Sequence, residues 1–98
     1  MRKIEKKLIE AISRWKTWKQ ANTSTLAICN PENPPAETVL VYLHDNHIAT
    51  VYHDGSVEPN NATFKAWPTT TTASRLRALG VAATIRKGVP HIDGVPVR

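Results

Sequence analysis

The sequence predicts an α+β fold: an antiparallel sheet, made of a β-meander plus a C-terminal hairpin, with an N-terminal amphipathic helix and a short second helix on one face. Three observations predict it. Apolar residues recur at helical spacing through residues 3–19. Two β-branched and aromatic runs flank a polar turn within residues 38–53. The stretch Trp67–Gly80 reads Trp-Pro-Thr-Thr-Thr-Thr-Ala-Ser-Arg-Leu-Arg-Ala-Leu-Gly, a proline stop, a row of hydroxyls, a short helix and a closing glycine. At 98 residues the chain suits one domain, spanning 1–98, with a single modest core.

The first element is the helix over residues 3–19. Ile4, Leu8, Ala11, Ile12, Trp15 and Trp18 form one apolar stripe, while Lys3, Lys6, Lys7, Glu10, Ser13, Arg14 and Thr17 fill the other faces. Its end is expected around Gln20-Ala21-Asn22, because asparagine tolerates left-handed backbone angles. At this spacing both tryptophans belong to the core. A tryptophan at the edge of the stripe, beside Lys16 or Lys19, would instead be placed to stack on a base. Thr23–Cys29 reads as a strand, with Cys29 as a buried, unreactive thiol. Asn30-Pro31-Glu32-Asn33-Pro34-Pro35 is a loop, since its prolines cannot enter regular structure.

Thr38–His44 and His47–His53 are strands around an Asp45-Asn46 turn, with Ile48 and Val51 facing inward. Asp54-Gly55 is the next turn, and Ser56-Val57-Glu58 a short strand closed by Pro59-Asn60-Asn61. Phe64 and Trp67 are expected to anchor the following loop in the core. A threonine among residues 69–72 caps a helix over Ala73–Leu79, with Leu76 and Leu79 inward and Arg75 and Arg77 outward, and Gly80 ends it. Val81–Arg86 and Val89–Ile92 form the C-terminal hairpin around Lys87-Gly88, and Asp93-Gly94 turns the chain into Val95-Pro96-Val97. Pro90 and Pro96 point to an edge strand, because proline donates nothing to a ladder.

Charge is unevenly distributed. Residues 1–20 carry seven Lys or Arg against two Glu, residues 21–70 one Lys against five acids, and residues 71–98 five Arg or Lys against one Asp. Basic ends either converge on one surface, which suits phosphate, or pair with the acidic middle. One cysteine excludes an internal disulfide and, within one chain, a four-cysteine or two-cysteine–two-histidine zinc site. No apolar run approaches the roughly 18 residues of a membrane span, so no membrane partner is expected. Met1-Arg2-Lys3 is followed by alternating charge rather than a signal-peptide core, which makes the cytoplasm the expected location.

Catalysis and cofactors are not expected. The serines sit in no nucleophile elbow, and the four glycines fall in turns and caps rather than in a phosphate loop. His44 and His47 with Asp45 between them could be read as two nitrogens and a carboxylate on a metal. No further ligand is specified, and the reading adopted is a polar turn with no metal. The strongest signal is for anions. A helix N-terminus offers free N–H groups and about half a positive charge. Thr70, Thr71 and Thr72 stand there as an anion-binding cap, with Arg75 and Arg77 in the next turns.

Asn22-Thr23, the run Leu43-His44-Asp45-Asn46-His47-Ile48-Ala49, and Trp67-Pro68-Thr69-Thr70-Thr71-Thr72-Ala73-Ser74-Arg75-Leu76 form a pattern that resembles a set of small accessory proteins of tailed bacteriophages. The resemblance covers roughly residues 14–92. It implies a phage-encoded protein working in the bacterial host cytoplasm, in host takeover or nucleic-acid metabolism, and implies no activity. Two functions are therefore expected. The first is a non-enzymatic nucleic-acid-binding module that neutralises phosphate with Lys3, Lys6, Lys7, Arg14, Arg75, Arg77, Arg86 and Lys87. The second is an inhibitor or modulator that binds a host bacterial protein through the 30–35 tip and an exposed tryptophan.

Overall fold

The computed structural model describes residues 2–30 and 36–97. The helix α1 (Lys3–Ser13) is followed by strands β1 (Trp18–Gln20), β2 (Thr23–Asn30), β3 (Ala36–Leu43), β4 (Asn46–Tyr52) and β5 (Val57–Pro59). Then come helices α2 (Asn61–Ala66) and α3 (Thr70–Ala78) and strands β6 (Ala83–Arg86), β7 (Val89–Ile92) and β8 (Val95–Pro96). The first five strands pair in sequence order as an antiparallel meander, and β6–β8 form a second, three-stranded antiparallel sheet. The fold is α+β, as predicted, with an additional strand, β1, and an additional helix, α2. The tip at residues 31–35 and the side chain of Cys29 lie outside the described residues.

The core follows from strand alternation. Val39, Val41 and Leu43 of β3 are buried, and Thr23 and Thr25 of β2 lie on the same inner face. The pairing of β3 with β4 slips between Val41 and Tyr42: Val41 faces Ala49, whereas Tyr42 faces His47. Ile48 is the extra residue of this bulge, so both Ile48 and Ala49 reach the core. Leu8, Phe64, Ala73, Leu76 and Ala83 complete the cluster from the helices and β6. Leu26, Ile28 and Tyr52 remain exposed on the outer face of the meander.

Five local expectations are corrected. The N-terminal helix stops at Ser13 rather than continuing to residue 19 or ending near Asn22. Trp15 takes a left-handed φ of 53°, the Trp15 N–H donates to the Ile12 carbonyl at 2.9 Å, and the Lys16 N–H donates to the Ala11 carbonyl at 3.0 Å. That is a Schellman stop with tryptophan where glycine is usual. The chain then turns back into β1, which β2 holds: Thr25 Oγ1 donates to the Lys16 carbonyl at 2.7 Å, and the Ala27 N–H donates to Thr17 Oγ1 at 3.0 Å. Pairing with β2 thus outcompetes a longer helix.

The hairpin turn between β3 and β4 is His44-Asp45, with φ of 51° and 63°, not Asp45-Asn46. Two consecutive positive angles match the right-handed strand twist, and this placement keeps Leu43 inside. Pro90 lies on β7, the central strand of its sheet. The Val97 N–H donates to the Pro90 carbonyl at 2.9 Å, so the side of Pro90 that lacks a donor faces β8 just past its last ladder residue, Pro96. Trp67 is 50% exposed rather than anchored; Phe64, on α2, is the aromatic in the core at 1%. Arg75 is buried, at 3% exposure, rather than outward.

Candidate nucleic-acid interface

Helix α1 starts with Arg2 as its cap residue, and Glu5 Oε1 accepts from the Arg2 N–H at 3.2 Å. Its inner stripe buries Leu8 and Ala11, and its first-turn acid is buried with them. Glu5 Oε2 accepts from Arg75 Nη1 and from Ser74 Oγ, both at 2.6 Å, and Arg75 Nε donates to Thr23 Oγ1 at 3.1 Å. This network joins α1, α3 and β2. It also shapes the outer charge of α1, because it withdraws one of the two α1 carboxylates from the surface. The other, Glu10, pairs with Arg14 at 3.2 Å.

The basic residues separate into groups. Lys3, Lys6, Lys7 and Arg14 are exposed along α1. Arg77 is exposed on α3, but its Nη1 donates to the Ala83 carbonyl at 2.9 Å, a helix-to-strand tie. Arg86 and Lys87 are exposed at the β6–β7 turn, on a separate element. Arg75 is committed to Glu5 and offers nothing to a surface ligand.

Two clefts bring cations together. One, of about 550 Å³, is lined by Arg2, Glu5, Ser74, Arg77 and Ala78, between the start of α1 and the outer side of α3. The other, of about 250 Å³, lies between α1 and β1 and is lined by Lys7, Glu10, Ala11, Arg14, Lys16, Trp18 and Gln20. Arg2 and Gln20 were not among the residues predicted for a site, and Trp18 and Lys16 entered only through the alternative of a base-stacking tryptophan at the edge of the helical stripe. The alternation Lys16, Trp18, Gln20 carries the signal for a strand wall, but it was hidden by a helical pattern that continues into it.

Burial by itself would raise the Glu5 carboxyl, but the hydrogen bonds from Ser74 and Arg75, with the Arg2 N–H, overcome it and hold the group below its ordinary 4.5. A carboxylate lowered in the folded state adds stability that is complete above the unfolded value and is lost as pH falls through the folded one. Glu5→Gln resembles the protonated acid. The urea midpoints of the wild type and this variant should therefore differ most near about pH 7 and converge as the pH falls through the folded-state value, below 4.5. A gap that stays constant across that range would remove Glu5 from the acid response.

The hydroxyl row is used mainly in structure. The cap of α3 is Thr69, not Thr70, Thr71 or Thr72: Thr69 Oγ1 accepts from the Thr72 N–H at 3.1 Å. Thr72 is buried, its hydroxyl 2.9 Å from that of Thr69, while Thr70 is exposed. Thr71 and Thr72 line a small pocket of about 160 Å³ with Trp67, His44 and Asn46. At the other end, Gly80 at φ 94° closes α3 as predicted: its N–H donates to the Arg77 carbonyl at 3.0 Å, and the Val81 N–H donates to that of Leu76 at 3.0 Å.

The histidines are likewise engaged locally. Asn60 Oδ1 caps α2 by accepting from the Thr63 N–H at 3.2 Å, which turns its Nδ2 toward His47 Nδ1 at 3.3 Å. His47 Nε2 then carries the hydrogen and donates to Thr50 Oγ1 at 2.9 Å. His44 is exposed in its turn. Among the described residues no three His, Cys, Asp or Glu side chains are grouped to hold a metal ion, and no helix is long and apolar enough to cross a membrane.

Fold and charge define a small α+β protein that carries a cationic helix beside a tryptophan-walled cleft. The family model described as Kyanoviridae Gp96 protein matches residues 1–95, and the chain belongs to that family, a family of phage proteins. No curated protein and no solved structure matches it.

Proposed function

We propose that this phage protein binds nucleic acid without catalysis, by phosphate neutralisation along α1. The observation that carries the reading is the inward turn of Glu5. With that carboxylate buried against Arg75, the exposed side of α1 presents Lys3, Lys6, Lys7 and Arg14 against Glu10 alone. Lysine ammonium groups on one helix face track a phosphate backbone without reading sequence. Arg2 and Arg77, at the neighbouring cleft, extend the charge.

Binding to labelled DNA or RNA across a salt series tests it. Four phosphate contacts give a slope of log affinity against log salt of about −3 to −4. The triple variant Lys3→Glu, Lys6→Glu, Lys7→Glu, all at exposed positions, should abolish binding while leaving the melting temperature close to wild type. No binding at low salt, or affinity indifferent to salt, would sink the reading.

A second reading draws on the exposure of Trp67, which stands half open beside the start of α3. An exposed tryptophan is a common anchor of protein interfaces. In that reading the protein inhibits or modulates a host bacterial protein. Capture from nuclease-treated bacterial lysate separates the two: a partner that survives nuclease and is lost with Trp67→Ala supports the modulator, and one lost with nuclease supports nucleic acid.

A further inference from the structure

We propose that the cleft between α1 and β1 receives one unpaired base of a single-stranded nucleic acid, stacked on Trp18. This rests on the nucleic-acid reading above and adds the form of the ligand. Lys7 and Arg14, two helical turns apart, form one wall of the cleft. Lys16, Trp18 and Gln20 form the other, as alternate residues of an extended segment that share a face. Trp18 is half-buried: part of it packs against the core, and the rest lines the cleft. A ring already held by packing loses little freedom when a base stacks on it.

The chemistry around the ring matches a nucleotide. Three cations surround it against one carboxylate, Glu10, which Arg14 already engages at 3.2 Å. They suit the phosphates on either side of a bound base. The Gln20 amide supplies a donor and an acceptor for a base edge. At about 250 Å³ the cleft is below the roughly 300–1,000 Å³ of pockets that enclose drug-sized ligands, and it suits one planar group. The exposed Trp67 lacks this setting: no Lys or Arg lines the pocket beside it. In a duplex both faces of every interior base are covered by its neighbours, so a single strand offers many more free faces to Trp18.

The test compares a labelled oligothymidylate of about 10 nucleotides, within the span such sites cover, with a duplex of equal length. The single strand should bind more tightly. Trp18→Ala should weaken it about tenfold and leave duplex binding unchanged, and Trp18→Phe should restore most of the loss. If Trp18→Ala does not fold, a Trp15→Phe, Trp67→Phe protein retains Trp18 as the sole tryptophan, and the oligonucleotide should quench its emission. Equal effects of Trp18→Ala on both ligands, no effect on either, or no quenching overturns the stacking site while leaving phosphate binding intact. Absence of binding to both ligands at low salt overturns the nucleic-acid reading itself.

Discussion

Arg75→Ala will cost the fold about 3–5 kcal/mol, because it leaves the Glu5 carboxylate buried without its counter-ion. Both side chains are almost completely enclosed, at 4% and 3% exposure, and sit 2.6 Å apart. Ser74 and the Arg2 N–H would still donate to Glu5, but neither carries charge. Thr23 Oγ1, on β2, would lose the Arg75 Nε donor as well. Against the roughly 5–15 kcal/mol that stabilises a domain of this kind, the loss is a large fraction. Urea denaturation should show a much lower midpoint with an unchanged slope. A cost below about 1 kcal/mol is what exposed pairs give, and it would mean that water reaches this one.

The same pair predicts a compensating variant. Replacing both partners, Glu5→Leu with Arg75→Met, removes the uncompensated charge and should recover most of what Arg75→Ala loses, since apolar replacements of buried pairs are often neutral. Recovery would be incomplete, because Ser74 and Thr23 lose their partners. A double-mutant cycle over Glu5 and Arg75 isolates the coupling. The folded double variant, Glu5→Leu with Arg75→Met, should bind nucleic acid as the wild type does, since neither residue presents surface charge, whereas Lys6→Glu should not.

Arg75 also shows where sequence reading fails and why. Its partner lies 70 positions away, and no local pattern connects them. Yet part of the answer was present in helix geometry. Arg75 and Arg77 are two residues apart, about 200° around a helix, so both cannot face outward beside an inward Leu76. The buried set Thr72, Ala73, Arg75 and Leu76 is the helical stripe, with an arginine inside it. What legitimises that arginine is Glu5, which reads locally as an ordinary first-turn acid.

The strands were legible where turn chemistry and alternation agree. Lys87-Gly88 and Asp93-Gly94 both take the left-handed angles their residues suggest, and β6, β7 and β8 follow within two residues of expectation. The strand β1 was not legible, because Trp15 and Trp18 continue a helical period and no glycine or proline marks the stop. A non-local event, pairing of Trp18 with Thr25, decides it. That one misreading hid the α1–β1 cleft, since a helix through residue 19 has no second wall. The helix α2 was obscured differently: six residues are too few for periodicity, and Asn60, its cap, reads equally well as part of a turn.

Phe64→Ala should be as damaging as loss of the ion pair, at about 3–5 kcal/mol. Phe64 is among the largest fully buried side chains, at 1% exposure. The six-residue α2 that carries it contacts both β4 of the meander and β7 of the C-terminal sheet, and Phe64 belongs to the core cluster to which both sheets contribute. A helix this short has no stability of its own; its cap, Asn60, positions it, and Phe64 fixes it to the core. Truncation to alanine therefore removes the transfer energy of the ring and leaves a cavity between two sheets that cannot both close on it. For a chain of this size each kcal/mol lowers the melting temperature by about 4–8 °C, so a drop of at least about 12 °C is expected. Phe64→Leu, which refills most of the volume, should cost well under half as much. Hydrogen exchange locates the loss: if Phe64 holds the two sheets together, the β6 and β7 amides should lose protection along with those of β4. Loss confined to α2 would show that the C-terminal sheet is held by α3 and Leu76 instead.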